Sequence, residues 1–160
     1  MPVNPIPEGY HSVTPYLIVK GAAEAIEFYK TAFGATELMR FEGPGGTIAH
    51  AEIKIGNSPV MLGEECPAWG AVAPQAGGTT PVGIMIYVEN ADAMFAEAVE
   101  AGATVKKPLQ DQFYGDRSGS VIDPFGHRWT ISTHIEDVPP EAMGQRHDEF
   151  MKKMAEGKPG

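Results

Sequence analysis

His50 and Glu52 are the two residues whose types and spacing most directly suggest chemistry. They lie in the run Thr47 to Ile55, whose alternation predicts a β-strand with Ile48 and Lys54 on the same face as this pair. An imidazole beside a carboxylate can transfer protons near neutral pH, or supply two ligands to a divalent metal. The same pattern also fits a solvated strand face with a favourable charge pair.

A second candidate lies in the stretch Gln112 to Gly119, where glycines flank an Asp-Arg pair. An arginine on a loop that leads into a strand can bind a carboxylate or a phosphate with two parallel hydrogen bonds. Asp116 and Arg117 could instead serve only to fix a turn, because aspartate and glycine are ordinary turn residues. Both interpretations stay open at this point.

A third candidate is the strand predicted to follow the turn at Asp123 to Gly126. Alternation puts Trp129 and Ile131 on its apolar face, which we expect to be core. The polar residues share the opposite face, which we expect to be functional: Arg128, Thr130, Ser132 and His134.

These candidates are positioned by a pattern of elements that occurs twice along the chain. Each unit reads as strand, helix and three strands, and each helix closes on Gly-Ala-Thr, with Gly34 and Gly102 as C-terminal caps. Asn90 is predicted to cap the start of the second helix. We therefore expect modules at residues 11–66 and 82–137, a linker at 67–81, and a C-terminal helix at 138–156.

Composition excludes several classes of function for these 160 residues. The chain has 12 basic and 21 acidic residues, a net charge of −9, which disfavours a nucleic acid or an anionic membrane as partner. Cys66 is the single cysteine, so no internal disulfide can form. No apolar run is long enough to span a bilayer, and no signal peptide opens the sequence, which predicts a cytoplasmic location.

Four motifs together resemble a known family. In chain order they are Pro15-Tyr16-Leu17-Ile18-Val19, His50-Ala51-Glu52, Tyr114-Gly115-Asp116-Arg117 and Asp123-Pro124-Phe125-Gly126-His127. With the repeat, they resemble the glyoxalase/bleomycin-resistance/dioxygenase (vicinal oxygen chelate) superfamily, and within it the PhnB-like branch, over residues 11–137. The resemblance implies an α+β fold of two βαβββ modules, which form a cup-shaped mixed sheet with helices on its convex side. It also implies a site on the concave face and a homodimer.

The resemblance also locates where metal-dependent members of the superfamily hold their ion. Those ligands, His and Glu, stand on the first and last strands of each module. In this sequence the corresponding positions are Thr14, Met61, Gly83 and Thr130. None of these is a good ligand for a divalent metal, so we expect no metal at the usual positions and no other cofactor.

Two main functions stay open for the cup. In the first, His50 and Glu52 transfer protons in a lyase or isomerase reaction, or hold a displaced metal together with a third ligand from elsewhere in the dimer. The residues expected to contact the substrate are Thr14, Tyr16, Tyr114, Arg117, Arg128 and Thr130. In the second, the cup sequesters a small molecule without catalysis, and the negative charge favours a cationic ligand. A third interpretation is a dimeric scaffold for other proteins, which would use an apolar stripe on the C-terminal helix made of Met143, His147, Phe150, Met151 and Met154.

Overall fold

The chain folds into two four-stranded sheets and three α-helices in a computed structural model that describes residues 2–75 and 78–157. The elements of the first module are β1 (Tyr16–Val19), α1 (Ala22–Phe33), β2 (Thr36–Glu42), β3 (Ile48–Ile55) and β4 (Ser58–Glu64). Those of the second are β5 (Gly83–Tyr87), α2 (Ala91–Ala101), β6 (Thr104–Asp111), β7 (Asp116–Ile122) and β8 (Arg128–His134). Helix α3 (Pro140–Ala155) follows.

The two sheets have the same topology. Sheet 1 has the strand order β1-β4-β3-β2, and sheet 2 has the order β5-β8-β7-β6. In each sheet the first strand pairs parallel with the last, and the remaining pairs are antiparallel. A parallel pair needs a crossover connection, and the module's helix supplies part of it. The predicted α+β fold with two repeated modules is therefore confirmed.

Both helices end where the sequence predicts. Gly34 and Gly102 have φ angles of 66° and 124°, in the region that glycine enters without steric cost. At the start of α2, the Asn90 side chain accepts a hydrogen bond of 3.0 Å from the Ala93 N–H. The start of α1 is capped by a residue distant in sequence, Glu64 on β4. Its carboxylate accepts the Gly21 N–H at 2.7 Å and the Ala22 N–H at 2.8 Å.

One continuous hydrophobic core unites the two modules. The side chains of each sheet that point toward the helices belong to it, among them Leu62 of sheet 1 and Ile131 of sheet 2. Helices α1 and α2 contact each other, and the α1 residue Phe33 packs against Trp129 of β8 at a ring distance of 4.7 Å. Each sheet thus has one face in this core and one face outside it, which we call its open face.

One detail of β3 differs from the predicted alternation. Ile48 is only 1% exposed and belongs to the core, whereas strict alternation predicts that it shares a face with His50. The pairing of β2 with β3 is irregular here, because Phe41 pairs with His50 and the next residue, Glu42, pairs with Ile48. A bulge of this kind changes which face a residue points to.

Helix α3 packs beside the loop between β6 and β7. The ring of Phe113 lies 5.1 Å from that of Phe150 and 5.7 Å from that of His147. Arg146 donates to the carboxylate of Glu136 at 2.7 and 2.9 Å. Across the described parts of the chain, no helix combines the length and the apolar character needed to cross a membrane.

Candidate functional site

Four side chains form a hydrogen-bonded chain on the open face of sheet 1. Tyr10 donates its hydroxyl to one carboxylate oxygen of Glu52, and the other oxygen lies 3.2 Å from Nε2 of His50. Nδ1 of His50 lies 2.9 Å from the hydroxyl of Tyr16. The predicted pair of His50 and Glu52 is therefore in contact, and a tyrosine lies at each end of it.

The strands of sheet 1 bring these groups together through their register. Glu52 on β3 pairs with Met61 on β4, which pairs with Tyr16 on β1, so the three side chains form one row across the sheet. His50 pairs with Phe41 on β2 and their rings stack, with centroids 6.2 Å apart and planes inclined by 27°. The imidazole thus lies on a surface lined by aromatic rings.

Tyr10 reaches the site from the irregular segment that precedes β1. Its backbone N–H closes a turn with the carbonyl oxygen of Pro7, and the neighbouring ring of His11 contacts the carbonyl of Asn57 at 3.2 Å. Sequence reasoning missed Tyr10 because 42 residues separate it from Glu52 and no periodic pattern surrounds it. No local signal in the sequence indicates this contact.

The hydrogen bonds set the charge of the site. The hydrogen bond from Tyr10, with a smaller contribution from His50, lowers the pKa of Glu52 although partial burial opposes this. The same bond raises the pKa of Tyr10 to about 12. Glu52 is thus an ionised acceptor, so Nε2 of His50 carries the hydrogen toward it and Nδ1 accepts from Tyr16. Burial and the charge of Glu52 raise the pKa of Tyr16, which keeps its hydroxyl protonated.

The pair lies on a sheltered surface rather than inside a closed cavity. The side chain of His50 is 25% exposed and that of Glu52 is 14% exposed. Two cavities of about 690 and 780 Å³ lie between the modules, the first lined by Tyr16, Met85 and His127, the second by Val60, Tyr87 and Trp129. Neither is lined by His50 or Glu52. Of the four hydrogen-bonded side chains on the open face of sheet 1, only Tyr16 lines the first cavity.

The other predicted contact residues are spread over the molecule. Thr14 is half-buried and precedes β1 by two residues. Thr130 lies on the open face of sheet 2, where its hydroxyl contacts that of Ser120 at 3.0 Å. Tyr114 contacts the hydroxyl of Ser118 on the same face at 3.3 Å, and Arg128 shares the face at the start of β8. None of these contacts joins them to His50.

Arg117 lies on the other face of sheet 2. Its guanidinium donates two hydrogen bonds of 2.8 and 2.9 Å to Asp92 at the start of α2, and one of 3.0 Å to Asp111. This follows from where β7 begins, because Asp116 is its first residue and successive side chains alternate between faces. The stretch predicted as a loop is therefore a strand, and Arg117 holds that strand to a helix.

A second polar cluster, which the sequence did not identify as a unit, lies on the open face of sheet 2. Asp116 accepts the hydroxyl of Tyr87 at 2.8 Å with one oxygen, and its other oxygen contacts Nδ1 of His134 at 2.8 Å. Nε2 of His134 contacts Asp137 at 2.7 Å. Alternation in β8 correctly puts His134 on the polar face, but Tyr87 and Asp116 come from two other strands.

The side chains do not fit a metal centre of the superfamily's usual kind. The four positions that correspond to the superfamily's metal ligands are Thr14, Met61, Gly83 and Thr130. Two of them carry a hydroxyl, one carries a thioether and one has no side chain. Across residues 2–75 and 78–157, no group of three or more His, Cys, Asp or Glu side chains is arranged to hold an ion. The four positions therefore offer no site for the superfamily's usual metal.

Comparison with known proteins identifies a family for this chain and a relative of similar sequence. The model of the Glyoxalase/Bleomycin resistance protein/Dioxygenase superfamily matches residues 9–131. An uncharacterized protein from Mycobacterium tuberculosis is 43% identical over 130 residues, which cover 79% of this chain and 76% of that protein.

Solved structures share the fold of this chain. TioX from Micromonospora sp. ML1 is 29% identical with a TM-score of 0.63, and the match covers 78% of this chain and 99% of TioX. A PhnB protein from Bacillus cereus is 19% identical with a TM-score of 0.57, over 77% of this chain and 99% of that one, a likeness in fold alone.

Proposed function

Because the chain belongs to the Glyoxalase/Bleomycin resistance protein/Dioxygenase superfamily, we propose that it binds a small molecule on the open face of sheet 1 and transfers a proton there through His50 and Glu52. The reaction class is that of a lyase or an isomerase. The observation that carries the proposal is the hydrogen-bonded chain from Tyr10 through Glu52 and His50 to Tyr16.

The chain of contacts gives each group a distinct role. Glu52 is ionised and holds the imidazole of His50 with Nδ1 free of hydrogen, which is the form that accepts a proton. In the resting protein that nitrogen accepts a hydrogen bond from Tyr16. A ligand oxygen that takes the Tyr16 hydroxyl as its donor leaves Nδ1 open toward the ligand.

The proposed step is the removal of a proton from a carbon next to a carbonyl group of the ligand. The C–H bond breaks, its proton goes to Nδ1 of His50, and the electron pair moves into the carbonyl oxygen, to which Tyr16 donates. The imidazolium that forms is stabilised by Glu52 at 3.2 Å. Return of the proton to a different atom gives isomerisation, and loss of a leaving group from the neighbouring carbon gives elimination.

The surroundings of His50 favour a ligand with an apolar or aromatic part. Phe41, stacked on His50, is 57% exposed, and Tyr16 is 48% exposed. Exposed rings beside half-buried polar groups are typical of surfaces that bind planar ligands. We also propose that the protein is a homodimer, in which a second copy covers exposed apolar side chains outside this surface, such as Met85 of sheet 2, which is 48% exposed. Light scattering should then give a mass of about 34 kDa, twice the 17.1 kDa of one chain.

Sequestration without catalysis is the second candidate function. The same exposed rings, a nearby carboxylate and a net charge of −9 favour a cationic aromatic ligand. It needs no proton transfer, so His50→Gln would leave the affinity for such a ligand within about twofold of the wild-type value. Isothermal titration with proflavine measures this directly.

Hydrogen exchange in D2O tests the proposed proton transfer without knowledge of the natural substrate. Pyruvate, dihydroxyacetone and phenylpyruvate are incubated with the protein, and loss of the proton signal next to each carbonyl is followed by NMR. We expect faster exchange of at least one compound, and a loss of about 100-fold or more in His50→Gln. His147→Gln is the matched control, because His147 lies on α3 among Phe113 and Asp148, away from the site.

Two outcomes would count against proton transfer by this pair. Exchange that is equally fast in wild type and in His50→Gln shows that another group removes the proton. If no compound exchanges and proflavine binds, the sequestering function is favoured. A divalent metal bound at one ion per chain and lost in Glu52→Gln would instead indicate the displaced metal site, with its third ligand from a second copy.

A further inference from the structure

The first of the two cavities between the modules lies beside the site proposed for proton transfer. Its volume is about 690 Å³, and its walls come from β1, from β5 and from residues 72–74 and 79–82 of the segment that joins the modules. Small-molecule sites in proteins are concave and mostly apolar, and their volumes are about 300–1,000 Å³. The cavity therefore has the size of a ligand site, and the proton transfer alone gives it no role.

The lining of this cavity carries no carboxylate, ammonium or guanidinium group. Among the described residues, no Asp, Glu, Lys or Arg lines it, although the chain has a net charge of −9. Its polar side chains are those of Tyr16, Thr79, Thr80 and His127, and Nε2 of His127 lies 2.9 Å from the carbonyl oxygen of Ile18. A charged group of a ligand would lose hydration here without gaining an ion partner, so the lining favours an uncharged apolar group.

Exposed apolar side chains surround the same cavity. Val13, Val72 and Val82 line it from three separate parts of the chain, and they are 84%, 54% and 66% exposed. Apolar residues exposed singly are ordinary, whereas a group of them around one concavity is typical of a surface that binds another molecule. An apolar ligand in the cavity would cover these three valines.

The side chain of Tyr16 connects this cavity to the polar groups of sheet 1. Its hydroxyl lies 2.9 Å from Nδ1 of His50 on β3, while the residue lines the cavity from β1. The side chain passes β4 at Gly63, where a Cβ atom would lie only 3.0 Å from the Tyr16 hydroxyl oxygen and 2.7 Å from the carbonyl oxygen of Ala49. The glycine leaves room for this path. The length of one tyrosine side chain thus separates His50 from the cavity.

The second cavity, of about 780 Å³, adjoins the first. The two have four lining residues in common: Val13, Pro15, Ile84 and Met85. No Asp, Glu, Lys or Arg in the described part of the chain lines the second cavity either. A long apolar group could therefore continue from the first cavity into the second without meeting a charged side chain.

We propose that the first cavity binds the apolar tail of the ligand whose carbonyl group contacts Tyr16. This rests on the proton transfer proposed for His50, because that step fixes where the carbonyl group lies. It adds the class of substrate, which is a ketone or an aldehyde with an uncharged tail longer than the Tyr16 side chain. A shorter tail does not reach the cavity, and a tail that ends in a charge is excluded by the cost of its dehydration.

Methyl ketones of increasing length test the proposal. The affinities of 2-pentanone, 2-heptanone and 2-nonanone for the full chain are measured in NMR titrations that follow the methyl signals of Ile84. We expect 2-nonanone to bind about 4- to 16-fold more tightly than 2-heptanone, because each buried methylene contributes up to about fourfold. The anion 8-oxononanoate has the same length as 2-nonanone but ends in a carboxylate, and it should bind at least tenfold more weakly.

Val13→Asp introduces a charge into the wall that the two cavities share. It should weaken the binding of 2-nonanone at least tenfold and that of 2-pentanone less than twofold, and the large exposure of Val13 means that the core stays intact. Val3→Asp is the matched control, because Val3 is also an exposed valine of the N-terminal segment and lines neither cavity. Tyr16→Phe should weaken every ketone by the same factor and leave the gain per methylene unchanged, since it removes only the contact with the carbonyl group.

Three results would overturn the proposal. They are equal affinities for 2-heptanone and 2-nonanone, equal losses in Val13→Asp and Val3→Asp, or a dimer that dissociates in Val13→Asp while its affinity for 2-nonanone is unchanged. Binding and hydrogen exchange are measured separately, so the two proposals can fail independently. Binding that depends on tail length without any exchange supports the role of the cavity and contradicts proton transfer, whereas exchange that does not depend on tail length does the reverse.

Discussion

Tyr29 of helix α1 donates its hydroxyl to Oδ2 of Asp123 at 2.6 Å, across 94 residues of sequence. The same oxygen accepts the indole N–H of Trp129 at 2.8 Å, and Oδ1 accepts the backbone N–H groups of Phe125 and His127. Asp123 therefore forms the predicted turn and also ties the first module to the second. The helix of one repeat is fixed against the last strand of the other through a single buried carboxylate.

Asp123→Ala should destabilise the protein by about 3 kcal/mol or more, because it leaves the donors of Tyr29 and Trp129 buried without an acceptor. Tyr29→Phe is the matched comparison. It removes one donor and leaves Asp123 bound to Trp129, so we expect a loss of about 1 kcal/mol. Urea denaturation measures both, and equal losses in the two variants would refute the role given to Asp123.

Glu64→Ala should weaken the start of α1. The Glu64 carboxylate accepts the first two N–H groups of the helix, and a negative charge there also complements the helix dipole. We expect a loss of about 1–2 kcal/mol in the free energy of unfolding, similar to the loss of a capping residue. Glu27→Ala, on the exposed side of the same helix, should cost less than half as much. A larger loss in Glu27→Ala than in Glu64→Ala would contradict this explanation.

Features with a local cause were predictable from the sequence. Gly102 ends α2 and Asn90 begins it, because each acts on residues within one helical turn. The separation of Trp129 and Ile131 from the polar face of β8 follows from strand alternation alone. The contact of His50 with Glu52 has the same origin, since the two residues share one strand.

Features that depend on distant partners were not predictable from the sequence. Tyr10 reaches Glu52 from an irregular segment, and the start of α1 is capped by Glu64 rather than by a neighbour in sequence. The position of Arg117 depends on the residue at which β7 begins. Once β7 begins at Asp116, Arg117 must point to the opposite face, where Asp92 neutralises it. The start of β7 was not predictable because residues 112–119 include aspartate and glycine, which are typical of turns.

Arg117→Met should therefore affect stability and leave ligand binding intact. The guanidinium joins β7 to α2 through Asp92 and contacts Asp111, and these partly exposed ion pairs are screened by salt. We expect a lower melting temperature at 20 mM NaCl and a smaller difference from the wild type at 1 M NaCl. The affinity for the cation proflavine and the rate of hydrogen exchange of the carboxylate phenylpyruvate should stay within about twofold of the wild-type values. A tenfold loss of phenylpyruvate exchange with unchanged melting would instead support the anion-binding role predicted from the sequence.

Tyr10→Phe should raise the pKa of Glu52, because the Tyr10 hydroxyl is the main cause of its depression below the ordinary value of 4.5. A carboxyl with a depressed pKa stabilises the fold above its unfolded-state pKa, and that contribution is lost as the pH falls through the folded-state pKa. Tyr10→Phe should therefore reduce stability at pH 6 and reduce its dependence on pH below 4.5. Carbon-detected NMR titration of the Glu52 carboxyl measures the shift. Tyr16→Phe is the control, since its hydroxyl contacts His50 and not Glu52. A Glu52 that titrates at the same pH in Tyr10→Phe and wild type would show that the N-terminal segment does not set its charge.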